Sequence, residues 1–527
     1  MTPSNFVLIL VATIVVLAVL AKRFSLPYPI VFVVGGGFLA FFPHLPTIRL
    51  DPQWVFLIFL PPLLYSGGFF TDWTVFKQNI KPIGILAIGL VLITTVVVAF
   101  VAKTFLPGFD WADAFVLGAV ISPPDPVAAG AVFERFSVPE RIVAILDGEG
   151  LLNDAVALVL YGFAIDAVVT GRFSLAAAGG DFVLVAAGGT LFGIAIAWLS
   201  SKLIYILRRF DLSDTLIDVT IRLLTPYACY LGAEAIHVSG VLASVAAGIY
   251  VSRASARVLD PAARLVSSAV WELIVFLLNG FVFLLIGLQL RSIVSDPNFV
   301  KSELSVGLMI CGVIILVRMV WVYVGIYAPM ALETRYGSRE KPPKWQYTFI
   351  LGWSGMRGIV SLAAALAIPT MTASGNAFPN RNVIIFVTFC VIAVTLVGQG
   401  LVLIPLISWL KIDAGGARRQ RELEVRVAAL EAGISRLRAL EPKFDSVEEW
   451  EVESRLIGEY EYRIGHLRGY LDGSVEEGDL WHDTALQHEA LTAERREIAR
   501  LRQLGDIPDV IFRAIQYDLD LAEERIS

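Results

Sequence analysis

The stretch GAVISPPDPVAAGAVF, residues 118–133, decides how this chain folds. It is apolar enough for a buried helix, yet Pro123, Pro124 and Pro126 stand within four positions. Proline has no backbone N–H and its ring clashes with the preceding helical turn, so a regular helix cannot pass through this segment. The sequence therefore predicts two helical pieces joined by an unwound piece around Asp125.

The composition indicates what surrounds that segment. Of the 527 residues, 56% are hydrophobic and 17% are charged, and the mean hydropathy is +0.71. Soluble domains have an apolar share of roughly 45–50%, so we predict an all-α protein that crosses the membrane many times. Unwound backbone at membrane depth is tolerated where it is buried in protein or lines a cavity, and its free carbonyls can coordinate a cation.

The charged residues are concentrated near the C-terminus. Residues 411–527 contain 26 of the 48 acidic and 17 of the 42 basic residues. We therefore predict a transmembrane domain over 1–410 and a soluble helical cytoplasmic tail over 411–527. The tail is expected to consist of solvated helices that pack on one another, with a dimer-stabilising or regulatory contact as the alternative. Its acidic balance excludes a nucleic-acid footprint, and the spacing of His466, His482 and His488 fits no metal motif.

Other local patterns narrow the class of protein further. Cys229, Cys311 and Cys390 lie in apolar runs without CxxC spacing, so we expect core residues rather than a disulfide framework or a metal site. The first apolar run, residues 6–21, has no preceding basic segment and no A-x-A site. We therefore interpret it as a first membrane span and not as a cleaved signal peptide.

A helix needs roughly 20 mostly apolar residues to cross a bilayer, and we place thirteen candidate spans in this chain. They cover 5–21, 28–43, 52–70, 83–106, 112–133, 141–169, 181–207, 214–236, 238–251, 268–290, 303–331, 346–369 and 382–410. Cytoplasmic loops are enriched in Lys and Arg. With the N-terminus outside, the inner loops carry 16 such residues and the outer loops with their flanks carry 6. This asymmetry predicts an external N-terminus and a cytoplasmic tail.

Charged residues inside the predicted spans are candidates for function, because a charge at the bilayer centre costs several kcal/mol. They are Asp125, Glu149, Asp154, Asp166, Asp218, Arg222, Glu234, Glu272, Arg318 and Arg357. Asp166 and Glu234 are near span ends, so we expect solvated or structural roles for them. Asp218 and Arg222 have the i, i+4 spacing of a helix salt bridge, whereas for Glu272 both a structural and a functional role stay open.

The sixth run, GEGLLNDAVALVLYGFAI over 148–165, supplies partners for Asp125. At 3.6 residues per turn, Glu149 and Asn153 share one stripe, and Asp154 lies on the adjacent stripe. Carboxylate and amide oxygens facing Asp125 suit a hard cation such as Na⁺. The alternatives are a simple proline kink and a purely structural polar cluster.

These motifs resemble those of the sodium/proton exchangers of the monovalent cation:proton antiporter family, in its bacterial branch. The resemblance is carried by ISPPDPVA, GEGLLNDAVALVLY, AEAIHVSGVLASVAAGIY, LVRMVWVY, GWSGMRGIVSLAAALAIP and the tail segment LGDIPDVIFRAIQYDLDLAEERI. It implies two inverted six-helix repeats in which broken spans 5 and 12 cross at the midplane, and a core domain that moves against a dimerisation domain. It also implies a homodimeric transporter of the inner membrane, which is not an enzyme and has no cofactor.

The resemblance further implies roles for individual residues. Asp154 resembles the essential cation- and proton-binding aspartate, and Asp125 resembles the aspartate of the unwound helix. The carbonyl of Pro124 is an implied additional ligand, and Asn153 matches the first residue of the family's Asn-Asp pair. The implied transported metal ion is Na⁺ at Asp125 and Asp154.

The resemblance also implies a supporting set around that site. Glu149 is similar to a glutamate that pairs with an arginine of the eleventh span, here Arg318. Arg357 matches the arginine of a glycine-rich break in the twelfth span. Two positions depart from the family pattern, because Gly150 stands for a serine and Ser66 for a residue that is often acidic. We therefore expect the site to use one more water or to prefer a different ion.

The expected mechanism follows from charge. Two buried carboxylates at one site lose hydration and repel each other, so near neutral pH the pair holds either protons or a Na⁺. This competition predicts antiport of Na⁺ or Li⁺ against H⁺ by alternating access, and Asn153, which cannot ionise, favours electroneutral one-for-one exchange. K⁺/H⁺ exchange is the nearest alternative. A channel or a sensor that signals through the tail is less favoured, because only one polar cluster is present and the tail has no recognisable output module.

Overall fold

The computed structural model describes residues 3–42, 56–133, 136, 138–171, 175–258, 261–293, 297–335, 343–373, 375–412, 415–439, 447–472, 489–498, 500–501, 515–516 and 519–523. Within these ranges the chain is helical, apart from turns, bends and one isolated bridge between Met371 and Ala377. The chain divides into two compact units, Met1–Asp413 and Ala414–Ser527. Of the loop arginines and lysines counted above, Arg49, Arg135, Arg172, Arg339 and Lys341 lie outside the described residues, as do His482 and His488 of the tail.

The helices of the first unit follow the predicted runs. We number them α1 (Pro3–Arg23), α2 (Tyr28–Ala40), α3 (Leu60–Phe70), α4 (Ile80–Phe105), α5a (Trp111–Ile121), α5b (Pro126–Phe133), α6 (Glu140–Thr170), α7 (Leu175–Arg209), α8 (Thr215–Ala235), α9 (Gly240–Val258), α10 (Pro261–Leu288), α11 (Pro297–Arg335), α12a (Trp345–Trp353), α12b (Ile359–Leu366) and α13 (Arg381–Trp409). Short helices at Trp73–Gln78 and Leu290–Ile293 join some of them. Each predicted run overlaps one of these helices or a broken pair.

Several of these helices are long and apolar enough to cross a membrane. In the described part of the chain seven meet that criterion by length and composition: Ile80–Phe105, Trp111–Phe133, Glu140–Thr170, Phe182–Arg209, Ala263–Leu288, Glu303–Met330 and Arg381–Trp409. Tyr28–Ala40, Phe56–Phe70 and Gly240–Ala254 are shorter apolar helices. The predicted start of the third run at residue 52 lies outside the described residues, and the total of thirteen spans stays a prediction.

Two helices are interrupted where the sequence predicted. Helix α5a ends at Ile121 and α5b begins at Pro126, because the prolines between them cannot continue the hydrogen-bond ladder. Pro126 itself is well placed, since the first position of a helix needs no N–H donor. Helix α12a ends at Trp353 and α12b begins at Ile359, so the predicted break of the twelfth run is also confirmed.

Packing brings the two broken helices together with α6 and α13. Helix α6 packs against α4, α5a and α5b, while α13 packs against α11 and α12b, and α5a also contacts α12b. The three cysteines are buried and free, as expected of core residues. Of the less central charges, Asp166 and Glu234 are exposed, and exposed Glu272 accepts a hydrogen bond from Ser268 at 3.3 Å.

The predicted salt bridge between Asp218 and Arg222 is wrong. Asp218 instead accepts hydrogen bonds from Arg208 Nε at 2.7 Å and from Ser213 Oγ at 2.6 Å. Asp218 lies in the first turn of α8, and the turn that joins α7 to α8 brings Arg208 and Ser213 directly to its carboxylate. Arg222, one helical turn further, has no hydrogen-bond partner among the described residues.

The second unit contains two paired helices, α14 (Gly415–Arg438) and α15 (Val447–Leu471). They bury Val427, Ile434 and Ile464 between them. Ion pairs join Arg438 to Glu461 and Arg468 to Glu431, and this order of partners makes the two helices antiparallel. The apolar stripes of these two charged helices therefore face each other.

Candidate cation and proton site

The break of α5 exposes backbone and carboxylate oxygens at one place. Asp125 Oδ1 accepts a hydrogen bond from the N–H of Val127 at 2.9 Å and so caps the start of α5b. The backbone N–H of Asp125 donates to the carbonyl oxygen of Met356 at 2.7 Å. The residues of the two breaks are therefore in direct contact, as a crossing of α5 and α12 requires.

Gly358 allows this close approach. A Cβ atom at that position would lie 1.6 Å from Asp125 Oδ2. Real Cβ atoms essentially never approach another heavy atom within 3.0 Å, so a side chain at residue 358 would force the carboxylate to move. The absence of a side chain at Gly358 therefore leaves the space that the second oxygen of Asp125 occupies.

Helix α6 contacts the α5 break through Asn153. Its Nδ2 donates to the carbonyl oxygen of Pro124 at 2.7 Å, and its Oδ1 is buried without a partner among the described residues. Asp154 follows directly and is close enough to Asp125 for the two charges to interact. Asn153 thus holds the Pro124 carbonyl in place and leaves its own amide oxygen available.

The two positions that depart from the family pattern have local explanations. A Cβ on Gly150 would lie 2.3 Å from Cγ of Pro126, so the proline ring occupies the space where a serine side chain would begin. Ser66 is buried and donates to the carbonyl oxygen of Leu63 at 2.9 Å. Neither residue supplies an oxygen ligand in this arrangement.

Glu149 and Arg318 form a bidentate pair behind the site. Arg318 Nη1 donates to Glu149 Oε1 at 2.6 Å, and Nη2 donates to Oε2 at 3.0 Å. Nη2 also donates to the carbonyl oxygen of Leu351 on α12a at 3.2 Å. Both side chains are buried, so each ion has its charge matched by the other and Glu149 is occupied as a hydrogen-bond acceptor.

Arg357 lies at the C-terminal end of α5a. Its Nε donates to the carbonyl oxygen of Ile121 at 3.1 Å, and Nη2 donates to that of Ser122 at 3.4 Å. Nη1 donates to the carbonyl oxygen of Gly355. A cation favours the negative end of a helix dipole, so the guanidinium satisfies carbonyls that the break of α5 leaves without helical partners.

Sequence reasoning missed two residues that hold the α12 break. Thr395 Oγ1 accepts a hydrogen bond from the N–H of Arg357 at 3.0 Å and donates to the carbonyl oxygen of Val391 at 2.7 Å. Gln399 Nε2 donates to the carbonyl oxygen of Trp353 at 3.3 Å, while Trp353 Nε1 donates to that of Gln399 at 3.2 Å. Both residues belong to the π-helical turn Val394–Gln399 of α13. Polar residues in an otherwise apolar run were the signal that could have revealed them.

The arrangement can hold one small cation or protons. Asp125 and Asp154 are partly exposed, whereas Glu149, Asn153, Arg318 and Arg357 are buried. Oxygens of the two carboxylates, of the Pro124 carbonyl and of the Asn153 amide lie at one junction of α5 and α6, which suits a hard cation. In the described part of the chain no group of three or more His, Cys, Asp or Glu residues could bind a metal ion.

Comparison with known proteins agrees with this chemistry. A family described as "Sodium/hydrogen exchanger, transmembrane" matches residues 9–409. An uncharacterised Na⁺/H⁺ exchanger of Escherichia coli is 32% identical over 547 residues, which cover 98% of each chain. A sodium, potassium, lithium and rubidium/H⁺ antiporter of Bacillus subtilis is 32% identical over 525 residues, 97% of this chain and 76% of the relative.

A solved structure shows the same fold. The sodium proton antiporter MjNhaP1 from Methanocaldococcus jannaschii aligns with a TM-score of 0.57 at 18% identity, over 77% of this chain and 98% of that chain. A structure at this identity shows the fold alone, whereas the family model and the near full-length relatives also show the family. The chain belongs to the sodium/hydrogen exchanger family of integral membrane proteins, which are transporters of monovalent cations and protons.

Proposed function

We propose that this protein exchanges Na⁺ or Li⁺ for H⁺ across the cell membrane, one for one, by alternating access. The observation that carries this proposal is the junction at which the α5 break, Asp125 and Asp154 meet beside the Pro124 carbonyl. Two carboxylates that share one junction compete for protons and for a cation, because binding either relieves their mutual repulsion. Competition of this kind couples the two fluxes.

The coupling needs one further condition, which the membrane supplies. A site that is empty and negatively charged is costly to move through the hydrocarbon core. A site neutralised by Na⁺ or by protons is not subject to this cost. If the protein reorients only in its neutralised states, each inward movement of one ion requires the outward movement of the other.

The surrounding charges support this division of roles. The carboxylate of Glu149 is matched by Arg318, and Arg357 is engaged by the carbonyls of Ile121 and Ser122. These three ionised groups therefore hold the structure of the junction, and the exchange chemistry falls to Asp125 and Asp154. Because Asn153 cannot ionise, it adds no third titratable group to the pair, which favours electroneutral exchange.

We further propose the organisation that the family resemblance implies. It comprises thirteen spans in two inverted repeats, an external N-terminus, a cytoplasmic tail over 411–527, and a homodimer in the inner membrane of the cell. Lipids would then be the remaining partners. The described helices and their two contacting breaks are compatible with this arrangement.

K⁺/H⁺ exchange is the second candidate. It is favoured by the names of two relatives, from Bacillus subtilis and Bacillus pumilus, which are called sodium, potassium, lithium and rubidium/H⁺ antiporters. Oxygen ligands serve Na⁺ and K⁺ alike. Gly150 stands where family members have a serine and Ser66 where they often have an acidic residue, and a site that lacks these two ligands could accept the larger ion. The protein would then be a less selective exchanger with the same mechanism.

The test is exchange by the purified protein in proteoliposomes with an imposed pH gradient. We expect proton efflux when Na⁺ or Li⁺ is added, and background flux in Asp125→Asn and Asp154→Asn variants that elute and unfold like the wild type. Asp166→Asn, an exposed aspartate on the same helix as Asp154, is the matched control and should retain wild-type flux.

Each outcome of that assay decides a part of the proposal. A response to K⁺ that exceeds the response to Na⁺ would select the second candidate. Flux in Asp154→Asn close to that of the wild type would remove Asp154 from the site. A protein that moves cations without any coupled proton flux would be a channel, and antiport would be wrong.

A further inference from the structure

A second polar cluster lies between α3, α8 and α10, away from the two helix breaks. Its central residue is Arg222 on α8, whose side chain is 2% exposed. None of its three guanidinium nitrogens has a hydrogen-bond partner among the described residues. A buried cation without a partner costs several kcal/mol, so this arginine needs an acceptor that the described side chains do not supply.

The carboxylate that acts electrostatically on Arg222 is Asp218, which forms no hydrogen bond with it. Asp218 is fully buried, and its Oδ2 accepts a hydrogen bond from Arg208 while its Oδ1 accepts one from Ser213. Arg208 therefore takes the contact with Asp218 that Arg222 would need, and Arg222 has no carboxylate in hydrogen-bond contact among the described residues. Water could satisfy the N–H groups of Arg222, but only an anion would also place a negative charge in contact with the guanidinium.

Other unpartnered donors accompany this arginine. The hydroxyl of Tyr65 on α3, and Ser267 Oγ and Trp271 Nε1 on α10, are buried and have no partner in the described part of the chain. The rings of Tyr65 and Trp271 lie 5.0 Å apart, and Tyr65 is close enough to Arg222 for electrostatic interaction. Ser267 and Trp271 share one face of α10, since they are four residues apart.

We propose that this cluster, formed by Tyr65, Arg222, Ser267 and Trp271, binds a compact anion, with a halide such as chloride as its ligand. The guanidinium and indole nitrogens can only donate hydrogen bonds, and both hydroxyls can donate. A set of donors around one guanidinium that has no hydrogen-bonded partner among the described residues is complementary to an anion. Because every member is buried within the helices, the ligand has to be small.

The proposal predicts that chloride stabilises the folded protein. The thermal unfolding of the purified full-length protein is measured in sodium gluconate and in sodium chloride at constant Na⁺ and pH. We expect the midpoint to rise with chloride and to saturate, because a ligand that binds only the folded state stabilises it. Equilibrium dialysis with radioactive chloride should give one ion for each chain.

Matched variants separate this site from general salt effects. Arg222→Gln should lose both the chloride-dependent shift and the bound ion, whereas Arg209→Gln, which removes an exposed charge near the end of α7, should keep both. Tyr65→Phe and Trp271→Phe each remove one donor and should weaken chloride binding without abolishing it. If Arg222→Gln fails to fold, these two variants still test the site.

Three results would overturn the proposal. The first is a midpoint that is equal in chloride and gluconate together with no bound chloride. The second is a chloride shift of the same size in Arg222→Gln as in the wild type. The third is stabilisation by vesicles containing phosphatidylglycerol that depends on Arg222 while chloride has no effect, since the acceptor would then be a lipid phosphate.

Discussion

The breaks of α5 and α12 meet at one junction but are built from opposite kinds of residue. Prolines interrupt α5 at Ser122–Asp125, and the break leaves a carboxylate, Asp125. The break of α12 at Ser354–Gly358 contains two glycines and places a guanidinium, Arg357, against the end of α5a. Prolines remove donors, whereas glycines remove side chains. The first break therefore frees the oxygens that we propose bind an ion. The second break leaves space for the Asp125 carboxylate and places a positive charge at the C-terminal end of α5a.

The first prediction tests this comparison by adding a side chain to the α12 break. In Gly358→Ala the new Cβ would lie 1.6 Å from Asp125 Oδ2, so the carboxylate has to move. We expect the rate of cation-driven proton flux to fall at least about tenfold, which corresponds to only about 1.4 kcal/mol of lost stabilisation. Gly162→Ala on α6, where no atom lies within 4 Å of the added Cβ, is the control and should behave like the wild type. Normal exchange by Gly358→Ala would show that the two breaks do not fix each other.

The second prediction concerns the ion pair that links α6 to α11 beside both breaks. Glu149→Gln leaves Arg318 buried with a neutral partner, and breaking a buried pair typically costs about 3–5 kcal/mol. The midpoint of thermal unfolding should fall clearly, and the charge exchange Glu149→Arg with Arg318→Glu should restore part of it. Glu272→Gln, at an exposed glutamate, should leave the midpoint unchanged. Equal midpoints for Glu149→Gln and the wild type would mean that the pair does not hold these helices.

The comparison of the two breaks also shows what a sequence can reveal. Three prolines around Asp125 predict an unwound helix by covalent geometry alone, and the spacing of Glu149, Asn153 and Asp154 predicts one helical face. Both inferences depend on local chemistry, which the sequence contains. The runs of apolar residues predicted the described helices for the same reason. The length of a membrane-spanning run and the spacing of residues on one face are set by the geometry of the helix itself.

Contacts between distant elements could not be predicted in the same way. Asp218 has a suitable partner at i+4, yet it pairs with Arg208 because the turn between α7 and α8 brings that side chain closer. The π-helical turn of α13 has no sequence signature that would assign Thr395 to the N–H of Arg357. Gly150 suggested a missing ligand, and only the packing shows that the ring of Pro126 fills its place.

The third prediction sharpens the comparison at the α12 break. Thr395→Val removes the acceptor of the Arg357 N–H, and leaving a buried donor unsatisfied costs about 1–3 kcal/mol. We expect a moderate loss of stability together with slower exchange, since the position of Arg357 at the end of α5a depends on this contact. Thr388→Val is the control on the same helix, because Thr388 is equally buried but donates only to its own helix at Ile384. Equal effects of the two variants would mean that Thr395 contributes only to the packing of its own helix and does not position Arg357.

The smallest effect is expected at Asn153, and it tests the hydrogen bond from α6 to the α5 break. An aspartate there can donate to the Pro124 carbonyl only when protonated, so Asn153→Asp should exchange more slowly than the wild type without the complete loss expected at Asp154. It also adds a titratable group beside the pair, so its rate should depend on membrane potential while the wild-type rate does not. The measurement is exchange in liposomes clamped with K⁺ and valinomycin, once K⁺ has been excluded as a substrate. A wild-type rate that rises steeply with voltage would contradict one-for-one exchange, and an additional ionisable group would then have to move with the cation.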